Sequence, residues 1–240
     1  MKIVVTVLLI MTGIMTGTGK FESDVFKTKD GKELKITFIK HGSLMFEFDG
    51  KIMYVDPVSD YADYTKLPKA DVILITHEHG DHLDPKAISA VEKEGSILIA
   101  NANSQKKLGK GVVVKNGDRL QPAGWFTLDA VPAYNTTPGR EIYHPKDRDN
   151  GYVLTFGGTR VYIAGDTEDI PEMQKLKDID IAFLPVNQPY TMTVPQADHA
   201  ARMVNPRVLY PYHYGDTNVA ELKSSLKDVP GIDVRIRQLQ

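Results

Sequence analysis

The sequence predicts an α/β (α+β) fold of four layers, in which two mixed β-sheets lie between outer helices. The main observation is that β-hairpins alternate with strand–helix units along the chain, an order that favours two sheets with helices on their outer faces. The second half of the chain loosely repeats the order of elements of the first half, which favours an αββα sandwich. Periodicity alone does not settle this arrangement.

The first half is predicted from apolar periodicity and turn residues. Apolar and polar residues alternate over 34–39, as in a half-buried strand, and Asp49-Gly50 is a turn pair typical of a β-hairpin. The continuous apolar run over 71–76 suits a buried central strand. The predicted elements are a strand over 34–39, a hairpin of 44–48 and 52–55, a strand over 71–76, a helix over 85–94 and a strand over 97–100.

The second half carries the same kinds of signal. Gly157-Gly158 separates two apolar segments and predicts a second hairpin. Thr193 and Gln196 have the spacing of a capping box, which predicts the start of a helix. The predicted elements are a hairpin of 152–156 and 160–164, a helix over 172–176, a strand over 181–184, the helix after Thr193, a strand over 208–210 and a helix over 219–227.

Length and charge limit the classes of protein to which this chain can belong. A chain of 240 residues, 42% hydrophobic and 25% charged, can bury one sizeable core, so residues 20–240 are predicted to form one domain. The formal net charge of −2 provides no global field that would draw the chain to nucleic acid or to an anionic membrane. We therefore expect a small-molecule substrate and no nucleic-acid partner, while the oligomeric state is left open.

Residues 1–19 differ from the rest of the chain. Lys2 precedes the apolar run 3–15, and small residues at 16–19 precede a polar stretch. This order predicts a secretory signal peptide, because the run is short for a membrane span. We expect export to a bacterial periplasm, without stable membrane insertion once the leader is removed. An uncleaved N-terminal anchor and a buried strand are the alternatives.

Four potential metal ligands fall within six residues, directly after the apolar run 71–76. They are His77, His79, Asp81 and His82. Alternate side chains of an extended loop project the same way, so His77 and His79 can converge on one ion. Asp81 and His82 can then hold a second ion. Imidazole and carboxylate donors suit Zn2+, and also Mn2+ or Fe2+, so we predict a site for one or two such ions.

The segment from His77 to His82 matches the pattern His-x-His-x-Asp-His in full, and on this motif the chain resembles the metallo-β-lactamase superfamily over residues 36–216. It is most similar to the branch that includes ascorbate-phosphate lactonase and N-acyl-phosphatidylethanolamine phospholipase D. The segments that carry this further resemblance are 41–43 with 56–57, 164–167 and 211–215. The resemblance implies the αββα metallo-β-lactamase sandwich and a metal-dependent hydrolase, but it does not identify the substrate.

The resemblance also implies a set of metal ligands. The implied ligands are His77 and His79 for a first metal, Asp81, His82 and His213 for a second, and Asp166 as a bridge between them. Asp166 and His213 each follow an apolar strand, from whose end a side chain can reach a site built from loops.

One position departs from the family pattern. The family's third histidine of the first site falls on Asn135 in this chain. An amide oxygen binds Zn2+ more weakly than imidazole, so three alternatives stand. Asn135 ligates directly, His144 replaces it, or only the second site is filled. We expect two metals with a weakened first site.

Other residues are expected beside the ligands. The resemblance places His41 at the edge of the site, where it orients a ligand or touches substrate, although a purely structural histidine fits the sequence equally well. Asp56 is expected to brace the metal loop by accepting backbone hydrogen bonds. Specificity is expected to reside in loops 135–150 and 188–194, where basic residues would face either an anionic substrate or water. The candidate lining residues are Tyr134, Tyr143, Tyr190 and Met192, and the basic residues are Arg140, Lys146 and Arg148.

The expected chemistry is hydrolysis by a metal-bound hydroxide, directed at an ester, lactone or phosphodiester-type bond. Asp81 is the predicted catalytic residue, because its carboxylate can orient the hydroxide and accept its proton. No Gly-x-Ser-x-Gly elbow and no cysteine compete for the role of nucleophile. The alternative is a catalytically degenerate protein that kept metal binding for a binding or structural role, and Asn135 is the feature that favours it.

Overall fold

The structure is a computed structural model that describes residues 21–239. Two seven-stranded sheets pack against each other in these residues, and the helices lie outside them. This arrangement confirms the predicted αββα sandwich. The predicted signal peptide, residues 1–19, lies outside the described residues.

The first sheet contains the first seven strands in chain order. They are β1 (Ser23–Lys27), β2 (Glu33–Lys40), β3 (Ser43–Phe48), β4 (Lys51–Val55), β5 (Val72–Ile75), β6 (Ile97–Ala100) and β7 (Val112–Val113). Strands β1 to β4 pair antiparallel, and β4 to β7 pair parallel. The sheet is therefore mixed, as the alternation of hairpins and strand–helix units predicts.

The second sheet has the same succession of pairings. Its strands are β8 (Arg119–Leu120), β9 (Thr127–Ala133), β10 (Asp149–Phe156), β11 (Thr159–Ile163), β12 (Ile181–Pro185), β13 (Val208–Tyr212) and β14 (Asp233–Val234). Strands β8 to β11 pair antiparallel, and β11 to β14 pair parallel. The loose likeness between the halves of the sequence thus reflects two sheets of one topology.

Four helices lie in the connections between strands of the described chain. They are α1 (Pro85–Val91), α2 (Ala102–Leu108), α3 (Val194–Val204) and α4 (Ala220–Ser225), with 3-10 turns at Tyr64–Lys66 and Pro171–Lys175. The capping box of Thr193 and Gln196 is present at the start of α3. The helix predicted over 172–176 is a 3-10 turn, and the one predicted over 85–94 ends at Val91. No helix within residues 21–239 is long and apolar enough to cross a bilayer.

Aromatic rings fill the space between the sheets. Phe46 of β3 stacks on Phe156 of β10 with ring centroids 5.8 Å apart, and Phe38 of β2 lies 4.9 Å from Tyr210 of β13. All four side chains are at most 2% exposed. Burying such large apolar surfaces supplies the main driving force for joining the two sheets.

One partly buried ion pair also joins the sheets. Arg237 donates to both carboxylate oxygens of Asp24 in β1, at 2.7 and 2.9 Å, and the Tyr210 hydroxyl donates to the same carboxylate. Burial raises the pKa of Asp24, but the hydrogen bonds from Arg237 and Tyr210 and the nearby positive charges outweigh it, so the pKa lies below its usual 3.8. The ionised form of Asp24 therefore stabilises the fold.

We predict that Asp24→Asn lowers the free energy of unfolding by about 2 kcal/mol at pH 7, because neutral hydrogen bonds replace charge-assisted ones. The folded pKa is depressed, so this stabilisation is present above about pH 4 and is lost as the pH falls through the folded value. Urea unfolding at pH 7 and at about pH 3 should show that the difference in free energy of unfolding between wild type and variant is smaller at the lower pH. Asp49→Asn is the control, because its pair with Lys32 is half exposed. An equal gap at both pH values would contradict the prediction.

Candidate metal centre

The predicted ligands lie beyond the carboxyl ends of parallel strands from both sheets. Strand β5 delivers the loop 76–82, β11 is followed by Asp166, and β13 is followed directly by His213. Ligand sites in α/β proteins form outside the carboxyl ends of strands, where loops converge. The packing of the sheets brings these three segments to one edge of the sandwich.

Three histidines form the first group of donors. One ring nitrogen from each of His77, His79 and His144 lies within 4.8 Å of the others. Nε2 of His77 is 3.1 Å from Nδ1 of His79. Nε2 of His144 and Nε2 of His77 lie 3.4 and 3.8 Å from Oδ2 of Asp166. Tetrahedral zinc with bonds of about 2.0–2.1 Å places its donors roughly 3.4 Å apart, so this spacing suits one ion.

A second group lies on the other side of Asp166. Nε2 of His82 is 3.4 Å from Oδ1 of Asp166, and Nε2 of His213 is 3.2 Å from Oδ2. Nε2 of His213 also lies 3.5 Å from Oδ2 of Asp81. His41 joins this group, since its Nε2 is 3.2 Å from the same Asp81 oxygen and its ring centroid is 3.6 Å from that of His213. Asp166 therefore borders both groups.

Unpaired polar atoms at the centre of the site indicate that a metal ion would fit there. Nε2 of His82, Oδ1 of Asp166 and Nε2 of His213 are buried and have no hydrogen-bond partner. Buried polar atoms in folded proteins are almost always paired, so three unpaired atoms facing one another need an explanation. A cation held between them would satisfy all three.

The electrostatics of the site favour the same conclusion. Burial opposes ionisation of Asp166, yet the charges of His213 and His82 hold the pKa of its carboxyl well below the usual range. Burial also works against the charge on Asp81, but its contacts with His213 and His41 lower its pKa. Burial lowers the pKa of His77 and keeps its imidazole neutral, as a metal ligand must be. Burial opposes protonation of His82 and His213 as well, yet the Asp166 carboxylate raises their pKa values to about 8 and about 10, so a metal ion that binds these two rings must displace their protons.

A small cavity opens beside both groups. Its volume is about 150 Å³, and its lining residues are His79, Asp81, Tyr143, His144, Asp166, Tyr190 and His213. Two of the four predicted lining residues are absent from it, because Tyr134 and Met192 are buried elsewhere. The Tyr134 hydroxyl donates to Glu172 at 2.9 Å, and Met192 lies in the core.

A family model described as the beta-lactamase superfamily domain matches residues 35–213. The chain belongs to this superfamily. The resemblance drawn from the His-x-His-x-Asp-His motif is confirmed at that level, whereas the narrower branch stays a prediction.

Solved and curated relatives agree with this placement. A crystal structure of a protein described as a metal-dependent hydrolase from Parabacteroides distasonis ATCC 8503 is 72% identical, with a TM-score of 0.91, and covers 92% of this chain and 100% of that one. A UPF0173 metal-dependent hydrolase of Natranaerobius thermophilus is 32% identical over 75% of this chain and 83% of the relative. Igni18, a metallo hydrolase of Ignicoccus hospitalis, is 25% identical over 85% of this chain and 95% of that one, with a TM-score of 0.73. These relatives support a metal-dependent hydrolase and leave the substrate open.

Asp56 supports the superfamily's histidine loop from beneath. Its carboxylate accepts hydrogen bonds from the Thr76 backbone N–H at 2.8 Å and from the Thr76 hydroxyl at 2.6 Å. It also contacts Nδ1 of His82 at 2.8 Å. This contact turns Nε2 of His82 toward Asp166, an arrangement typical of metal-ligating histidines.

Two supporting carboxylates were missed by the sequence analysis. Oδ2 of Asp149 lies 3.0 Å from Nδ1 of His144 and orients that ring as Asp56 orients His82. Glu168 accepts hydrogen bonds from the backbone N–H groups of Thr136 and Thr137, at 2.7 and 2.6 Å, and so anchors the next loop. The five-residue spacing from His144 to Asp149 was a usable signal, but nothing local marks Glu168.

The structure separates the roles of Asn135 and His144. The Asn135 amide nitrogen donates to the carbonyl oxygens of Arg140 and Tyr190, at 3.2 and 2.8 Å, and its backbone N–H donates to the His144 carbonyl at 2.9 Å. Asn135 thus holds the loop, while the His144 ring joins the first group. With three imidazoles in that group, the geometry gives no reason for the weakened first site expected from the sequence.

We predict that His144→Ala lowers zinc affinity at the first site by about 100-fold, because an imidazole ligand is lost, whereas Asn135→Ala changes it by less than about tenfold. Competition titration of zinc against a chromophoric chelator measures both, with circular dichroism to check folding. A larger loss of affinity in Asn135→Ala than in His144→Ala would restore Asn135 as the ligand.

Proposed function

We propose that this protein hydrolyses an ester, lactone or phosphodiester-type bond of a small molecule with one or two bound metal ions, of which Zn2+ is the first candidate. The observation that carries the proposal is the buried Asp166 carboxylate between two groups of histidines. The names of the relatives support the class of metal-dependent hydrolase. The nitrogen-rich donors favour Zn2+, with Mn2+ or Fe2+ as the alternatives.

Each of the two groups of residues would hold one ion. His77, His79 and His144 would hold the first, Asp81, His82 and His213 the second, and Asp166 would touch both. When bound, such ions lower the pKa of water toward neutrality and polarise a carbonyl or phosphoryl oxygen. Asp56 fixes the orientation of the His82 ring, and Asp149 fixes that of the His144 ring.

Asp81 is the residue best placed to move a proton. Its side chain is 41% exposed and lines the cavity, whereas Asp166 is buried. The contact with His41 holds one Asp81 oxygen, and the carboxylate can accept a proton from water entering the cavity. His41 therefore acts here as a positioning residue for Asp81.

The alternative of a catalytically degenerate metal-binding protein rested on Asn135. The main argument for that alternative is weaker in the structure, because His144 brings a third imidazole to the first group. We therefore keep hydrolysis as the proposed function.

We predict that His79→Ala and Asp166→Asn each lower kcat/KM by at least about 1000-fold in a folded protein, since each removes an interaction with the ions that assist the reaction. Zinc- or manganese-loaded protein would be assayed on p-nitrophenyl esters, lactones and bis(p-nitrophenyl) phosphate. The matched control is His199→Ala on α3, because that ring is 59% exposed and contacts only Asp169 among the carboxylates. Turnover retained by either site variant would contradict the proposed function.

We also propose that the protein is exported to the periplasm. The support is the order of Lys2, the apolar run 3–15 and the small residues 16–19. A chain without cysteine needs no disulfide to complete its fold after export.

We predict that the full chain, expressed in a Gram-negative host, is found in the periplasmic fraction with its N-terminus cleaved near residue 19. Mass spectrometry of the purified protein locates the cleavage. A variant lacking residues 2–19 should stay in the cytosol. Recovery of the uncleaved full chain in the cytosol would overturn export.

A further inference from the structure

We propose that the substrate presents an uncharged apolar group beside its scissile bond, and that Tyr143 and Tyr190 hold this group. This inference rests on the proposed hydrolysis and deepens it by describing the substituent next to the bond that is cleaved. We call these two residues the apolar rim.

The apolar rim lies at the mouth of the metal cavity. Tyr143 and Tyr190 both line that cavity, and their rings meet edge to face with centroids 5.1 Å apart. Tyr190 is 45% exposed, so the apolar rim is open to solvent. Single exposed apolar side chains are ordinary, but two aromatic rings in contact beside a polar centre mark a surface for an apolar ligand.

The apolar rim is held in place by a buried residue. Asn135 is 2% exposed, and its amide nitrogen donates to the Tyr190 carbonyl of one loop and to the Arg140 carbonyl of the other. One side chain therefore ties together the loops that carry Tyr190 and Tyr143. The departure from the superfamily's histidine pattern thus serves the position of the apolar rim.

The basic residues near the cavity are already paired with carboxylates. Lys146 lies 3.7 Å from Glu172, and Arg140 lies 3.7 Å from Glu168. Arg148 contacts Asp149 at 2.7 Å. The cations that the sequence offered for an anionic substrate are thus engaged within the protein.

The cavity lining gives the same indication. Its residues include neither lysine nor arginine, and two of them, Asp81 and Asp166, are carboxylates. Proteins that bind phosphate or carboxylate groups use charged forks such as arginine for them. The proposed ions would balance the Asp81 and Asp166 carboxylates, whereas the apolar rim contributes only tyrosine side chains. An anionic substituent held at the rim would therefore find no lysine or arginine in the lining.

A binding experiment tests the apolar rim without requiring turnover. Zinc-loaded full-length protein would be titrated calorimetrically with acetohydroxamate, butanohydroxamate, hexanohydroxamate and the anionic monohydroxamate of succinic acid. These probes present one metal-binding head with tails of different length and charge. We expect affinity to rise about threefold to fourfold per added methylene, and the succinic compound to bind at least tenfold more weakly than butanohydroxamate.

Variants identify the residues responsible. Tyr190→Ala and Tyr143→Ala should each reduce the ratio of hexanohydroxamate to acetohydroxamate affinity by about fivefold or more. Val25→Ser, which alters a 56% exposed side chain on β1 outside the cavity lining, should leave that ratio within twofold of wild type.

The outcomes separate this inference from the proposed function. If acetohydroxamate binds but longer tails bring no gain, or the anionic tail binds as tightly as the neutral one, the apolar rim is wrong while metal binding stands. If the protein takes up no metal, the proposed function fails and this inference fails with it.

Discussion

The carboxylate of Asp166 is the constraint on which the candidate metal site depends. It is 2% exposed, and a buried charge is costly unless ionic or hydrogen-bonding partners surround it. Four histidine rings approach it within 3.2–3.8 Å, and they come from three separate segments of the chain, 77–82, 144 and 213. The strand ends of both sheets must therefore converge on this point. A cation held between the two groups would balance the carboxylate charge that the fold concentrates there.

Two neighbouring carboxylates fix the orientation of histidine rings around Asp166. Asp56 and Asp149 each hold the Nδ1 of a histidine whose Nε2 faces Asp166. Glu168 performs a different task, because it fixes loop backbone next to Asn135. The proposed substrate contacts belong to the loops that Asn135 ties together, so they are separate from the carboxylates that hold the histidine rings. Such a division is how one fold supports many substrates.

Much of the secondary structure could be predicted from local sequence signals. Contacts between residues far apart in the sequence could not. Elements with strong periodicity or capping, such as β5 and the helix α3 with its capping box, were predicted near their observed places. Helix α2 was missed, because its sequence is mostly polar and only Ser104 is buried, so its main signals are its two caps, Asn101 and Gly109. The candidate metal ligands were implied by the family resemblance, through one motif and two strand ends. The choice between Asn135 and His144 could not be predicted, because it depends on contacts of Asp149 and Glu168 that arise only when the sheets pack.

We expect two metal ions, or at least one, to occupy the space around Asp166. The most direct measurement is anomalous diffraction from crystals of protein purified without chelator, collected at the absorption edges of zinc, manganese and iron. The account predicts anomalous density between the Asp166 carboxylate and one or both of its neighbouring groups, His77 with His144 and His82 with His213. Metal-replete crystals with no anomalous density at Asp166 would contradict it.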